Sequence, residues 1–187
     1  MESAPDLAAL LLLVFAVLAA YDGVYVHLVA LRLPARPASY VEHLWHTASA
    51  ILFVPVAALL FVEPPHGAAL WIGVTAAVAM YVVEIFDVRA EKASRADLGG
   101  LSRAELAVHV GAFVTRTLAL ILVVGARPLA AWGLGSAPSV ATSAFAQTVG
   151  LGALVGATIL AAVHVALAVV HCPACGADRP AQGGAAG

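Results

Sequence analysis

Twice in this chain a glutamate stands four residues ahead of a histidine: Glu42 with His46, and Glu105 with His109. On a helix that spacing projects both side chains from one face, so each pair is a two-point grip on a metal ion. Each pair sits in a similar stretch, Ser39-Tyr-Val-Glu42-His-Leu-Trp-His46 and Ser102-Arg-Ala-Glu105-Leu-Ala-Val-His109, a weak internal repeat. An acid precedes each at nearly the same distance, Asp22 before Glu42 and Glu84 before Glu105. Mixed imidazole and carboxylate donors suit iron, manganese or zinc better than Cu(I), which favours sulfur. The expectation is a pair of metal ions, iron foremost, with Glu42, His46, Glu105 and His109 as core ligands. Asp22 and Glu84 are then bridging or terminal, and Tyr21 or Tyr25 is a proton or electron relay.

Composition dictates what holds these groups. Of 187 residues, 63% are hydrophobic and 11% charged, with a mean hydropathy of +0.98. That excludes an ordinary water-soluble domain. A formal charge of -2 supplies no basic surface for a phosphate backbone and excludes nucleic-acid binding as a main function. Five stretches can span ~30 Å of hydrocarbon: Leu7 to Leu31, Tyr40 to Val62, Ala68 to Val88, Ala104 to Ala126 and Thr148 to Val170. The fold expected is all-α: a polytopic membrane helix bundle of five transmembrane helices in one domain, residues 1–176, followed by a disordered tail, 177–187. Two similar hairpins plus a fifth helix are expected. The connections after the first and third spans carry Arg32, Arg36, Arg89, Lys92, Arg95 and Arg103. By the positive-inside rule the N-terminus is outside and the C-terminus cytoplasmic, in a bacterial inner membrane. The leader before the first span has no Lys or Arg, so that span reads as a retained helix rather than a signal peptide. The stretch from Arg127 to Gln147 reads as an external loop that dips into the interface at Trp132.

Buried polar groups in hydrocarbon need a partner or a task. Counted from the cytoplasmic end of each span, Asp22, His27, Glu42, His46, Glu84, Asp87, Glu105, His109 and His164 all fall within roughly 15 Å of the inner boundary. Scattered structural histidines have no reason to share a level; a single site requires it. His27, His43, Asp87 and His164 are further candidate ligands, although Asp22 and His27, five apart, cannot both face the centre of a straight helix unless Gly23 permits a distortion. Glu84, Asp87 and Glu91 form an acidic stripe whose last members, Asp87 and Glu91, read as solvated at a helix end. Arg116 is deep enough to require a buried partner: an anionic group of a ligand, or Asp22 or Glu84. Cys172 and Cys175 form a Cys-x-x-Cys knuckle. Either a second copy completes a zinc site in a homodimer, or the thiols are redox-active, or they are unused. Gly152 and Gly156 offer a small-residue face for close helix packing.

Acids from four helices, with histidines on two of them, resemble the di-iron and di-manganese carboxylate bundles, the ferritin-like proteins and the membrane-associated alternative oxidases. The resemblance rests on Asp22, Glu42, His46, Glu84, Glu105 and His109 and concerns architecture; this chain has Glu-x-x-x-His where those proteins have Glu-x-x-His. It implies an oxidoreductase acting on a lipid-phase or hydrophobic small molecule, with membrane lipid as its surroundings. A metal-dependent hydrolase uses the same architecture. Two other classes compete: a b-type haem electron carrier, with His46 and His109 as axial ligands and Arg116 at a propionate, and a metal-ion or proton transporter.

Overall fold

The computed structural model describes residues 3–137 and 142–173, and five long helices dominate them. Helix α1, Ser3–Ala20, continues without a break into a π-helical segment, Tyr21–Ala30. Helix α2, Tyr40–Val56, continues into a second one, Ala57–Val62. They are followed by α3, Gly67–Ser94, α4, Arg103–Gly125, and α5, Ala144–Val170. All five are long and apolar enough to cross a membrane. Two helices start on serine caps: Ser102 Oγ accepts the Glu105 N–H at 3.1 Å and Ser143 Oγ accepts the Ala146 N–H at 3.0 Å. Pro55 withdraws a donor from α2, and two residues later the helix widens.

Large apolar side chains, among them Val17, Ile51, Ile72, Val78, Ile121, Val155 and Ile159, cover the outside of every helix. In water such a surface would drive aggregation; in hydrocarbon it is the natural exterior. Burial of apolar area does not hold helices together in lipid, so close packing must. Gly150 shows the tightest approach: a Cβ there would overlap the Phe61 carbonyl, so only glycine lets α5 lie against the end of α2. The expected Gly152 and Gly156 face does not serve this purpose, since a Cβ on either would meet nothing within 4 Å. The fifth helix packs through the glycine two residues earlier. Helix α1 lies along α4, α2 along α3, and α5 covers α1 and α2 together.

The interior is divided lengthwise. One half is an apolar core of Ala8, Leu12, Phe15, Val56, Leu60, Leu70, Ala119 and Leu120. The other half buries Asp22, His27, Glu42, His43, Glu91, Arg95, Glu105, Arg116 and His164. Successive helices run in opposite directions, so the polar end of each falls at the same end of the bundle.

Two boundaries differ from expectation. Helix α3 runs six residues past Val88, because Ala90, Glu91, Lys92 and Ala93 are good helix formers that a hydropathy criterion discards. The stretch expected as an external loop contains a short 3₁₀ helix, Leu129–Trp132, whose Trp132 carbonyl accepts the Trp71 indole N–H at 3.0 Å. The tail, 177–187, lies outside the described residues. At the polar end, Arg36 and Asp97 tie the α1–α2 and α3–α4 connections together at 2.7 and 2.9 Å. The Arg36 hydrogen bond holds the Asp97 carboxyl below its ordinary range.

Candidate metal centre

The π-helical segment of α1 is what makes the first helix a contributor. In an α-helix two residues five apart diverge; with i→i+5 hydrogen bonding they stand one turn apart on the same face. Asp22 and His27 are both buried, with His27 Nε2 3.7 Å from Asp22 Oδ1. The distortion around Gly23 is real, and it extends over ten residues.

Around this pair the other helices close. His109 Nε2 lies 2.9 Å from Asp22 Oδ2, and its Nδ1 lies 3.2 Å from Glu91 Oε1. His46 Nε2 lies 3.7 Å from Glu42 Oε1 and 3.5 Å from Asp87 Oδ2. The His27 ring is 4.3 Å from that of His46 and 5.7 Å from that of His109. Four carboxylates and three imidazoles from four helices thus share one centre. Within it, the donor atoms of Asp22, His27 and His109, and those of His27, Glu42 and His46, lie within 4.8 Å of one another. Each set is compact enough to hold one ion.

Buried polar atoms normally find hydrogen bonds. Among the described residues, Asp22 Oδ1, both nitrogens of His27, Glu42 Oε1, Asp87 Oδ1, Glu91 Oε1 and His109 Nε2 are buried without one. Leaving such atoms unsatisfied is costly, and imidazole nitrogens and carboxylate oxygens are donor types that a metal ion takes as ligands.

One guanidinium organises the margin. Arg95, 1% exposed, donates from Nε and Nη2 to Glu105 Oε1 at 3.0 and 2.7 Å, and from Nη1 to Glu42 Oε2 and Ser94 Oγ, both at 2.8 Å. The Ser94 hydroxyl donates to the same Glu42 oxygen. Burial disfavours the charge on Arg95, but the Glu105 and Glu42 carboxylates outweigh it and push the group above its ordinary value. Glu42 is thereby held with Oε2 on the cation and Oε1 toward His46.

Of the expected ligands, Asp22, Glu42, His46 and His109 come together, and His27 and Asp87 join them. Glu91, read as solvated, is buried against His109 because α3 runs on past the apolar stretch. Glu105 and Glu84 are not brought into either donor set. Glu105 sits one turn before His109, level with Arg95, and is engaged there. Glu84 pairs with Arg116 Nη2 at 2.5 Å, while the rings of Tyr81, Phe15 and Phe113 stand 5.0, 5.7 and 5.9 Å from the guanidinium carbon. In this structure the partner of Arg116 is an acid of the chain, Glu84. Tyr25 is 54% exposed and stacks on Tyr21, since the turn that carries Asp22 and His27 inward carries the tyrosines outward. His43 and His164 form a separate stacked pair at 5.1 Å, with His43 Nε2 3.2 Å from the His164 carbonyl oxygen. Cys172 ends the described chain with Pro173, and Cys175 lies outside the described residues. Arg95 was legible only indirectly: two acids in the first turns of α2 and α4, at one depth, require a cation at that depth.

These placements predict that Glu84→Gln and Tyr25→Phe leave the metal content of purified protein unchanged. Loss of half the bound metal in either variant, by elemental analysis, would contradict the placement.

No protein-family model, curated protein or solved structure matches this chain. The chemistry of the centre therefore has to be argued from its donors.

Proposed function

We propose that this chain is an integral membrane metalloprotein whose dinuclear His and carboxylate centre carries out redox chemistry on a hydrophobic, lipid-phase substrate. What supports this most is the convergence of seven buried nitrogen and oxygen atoms without hydrogen bonds, contributed by four helices to one centre. The charge balance points the same way. Asp22, Glu42, Asp87, Glu91 and Glu105 are set against the single guanidinium of Arg95, which bonds Glu105 and Glu42 and lies 4.0 Å from Glu91, so the charge of four carboxylates is left over among imidazoles. Two divalent ions just neutralise four carboxylates; without them the acids repel one another.

Nitrogen and oxygen donors of this kind hold iron or manganese, which change oxidation state, and the likeness to di-metal carboxylate bundles is one of donor type and helix number. The apolar surroundings favour redox over hydrolysis, because hydrolysis consumes water that such an interior excludes. Transport is disfavoured by the lengthwise division of the interior. Among the described residues, Leu12, Phe15, Leu60 and Leu70 offer an ion no polar step beyond the centre. The basic connections lie at the end that carries the centre, which supports, by the positive-inside rule, a position near the cytoplasmic leaflet with the N-terminus outside, as in a bacterial inner membrane.

Detergent-purified protein should contain about two transition-metal ions per chain, iron or manganese before zinc. Elemental analysis showing less than half an ion per chain after reconstitution with iron would reject the proposal.

A further inference from the structure

His27 is 1% exposed, and among the described residues neither of its ring nitrogens has a hydrogen-bond partner. A buried structural histidine uses at least one nitrogen, and a terminal metal ligand gives its second N–H to a carboxylate or carbonyl. His43 in the same bundle behaves that way, meeting the His164 carbonyl oxygen at 3.2 Å. His27 does not, and it is the one residue common to both compact donor sets. On one side its Nε2 faces Asp22 at 3.7 Å, with His109 beyond; the His46 ring, belonging to the set with Glu42, packs at 4.3 Å.

The geometry points to His27 as a bridging imidazolate, with Nε2 on an ion held by Asp22 and His109 and Nδ1 on an ion held by Glu42 and His46. Glu91 stands at His109 Nδ1, across that ring from Asp22, and so orients the imidazole, while Asp87 beside His46 Nε2 is a further donor for the other ion; each ion receives two imidazole nitrogens and at least one carboxylate. When the second ion binds, the Nδ1–H bond breaks, its proton leaves to solvent, and the electron pair left on nitrogen forms the new bond to the metal. No electron is transferred, so no oxidant or reductant is needed. This inference rests on the dinuclear reading above and adds what links the two ions. Metal–nitrogen bonds of about 2 Å on opposite sides of a five-membered ring place the ions about 6 Å apart. Ions clamped by shared oxygens lie about 3.5–4 Å apart.

The test uses the full-length protein in detergent. Iron-loaded protein examined by X-ray absorption should hold about two ions per chain with no metal neighbour near 3.5–4 Å. Loaded instead with two equivalents of Cu(II), it should give an exchange-coupled half-field electron paramagnetic resonance signal that vanishes in His27→Gln. A short metal–metal vector overturns the bridge while leaving the dinuclear centre standing, as does coupling that survives in His27→Gln. A content below one ion per chain overturns the dinuclear centre itself. The vector is measured on the wild type, so the outcome holds even where His27→Gln fails to fold.

Discussion

Replacing Arg95 with methionine should lower the unfolding free energy of the metal-free protein by about 3–5 kcal/mol, the range for removing one partner of a buried ion pair. The magnitude follows from what remains. Glu42 has a fully buried side chain and Glu105 a nearly buried one, and both lose their guanidinium at once. Arg95 belongs to the segment between α3 and α4, so the variant should also loosen that connection. A double change, Arg95→Met with Glu105→Gln, should recover part of the loss, because it removes one of the stranded charges. Unfolding in a graded denaturing detergent, followed by circular dichroism, reads both. A cost below about 1 kcal/mol, typical of an exposed pair, would show that Arg95 is solvated rather than buried.

The second large effect concerns metal. His46→Ala combined with His109→Ala removes one imidazole from each donor set, leaving His27 as the sole nitrogen ligand of the centre. Losing even a residue that merely supports a ligand costs about 10–100-fold in metal affinity, so losing the ligands themselves should cost more. Bound metal should fall from about two ions per chain to less than half of one after dialysis. His66→Ala is the matched control. His66 caps the opposite end of the bundle, where its Nδ1 stands 2.9 Å from the Pro64 carbonyl oxygen, and its loss should leave the content unchanged. Equal metal in the double variant and the wild type would mean that these histidines bind nothing.

Depth along the helices was the readable coordinate, and rotation about them was not. Counting residues from the ends of apolar stretches places Asp22, His27, Glu42, His46, Glu84, Asp87, Glu105, His109 and His164 at one level; the structure gathers Asp22, His27, Glu42, His46, Asp87 and His109, and gives Glu84, Glu105 and His164 other partners. Rotation depends on helical register, which hydrophobic pattern fixes only for regular α-helix. The ten-residue π segment breaks that assumption and turns His27 inward and Tyr25 outward. The exchange of Glu105 for Glu91 has a different origin. Glu105 lies at the expected depth with the expected spacing, but Arg95 reaches it first. Arg95 was read only as a charge for setting topology, because a sequence reading that stops α3 at Val88 places it in a loop. Glu84 was misplaced for a related reason: the alternatives for Arg116 were clear, and only packing between α3 and α4 could select one.

On the function proposed above, the lengthwise division of the interior also sets the direction from which the centre would be filled. Beyond it stands a plug of Leu12, Phe15, Leu60 and Leu70, through which no hydrated cation travels. Ions of the proposed centre would therefore enter from the end where the Arg36–Asp97 pair joins two connections.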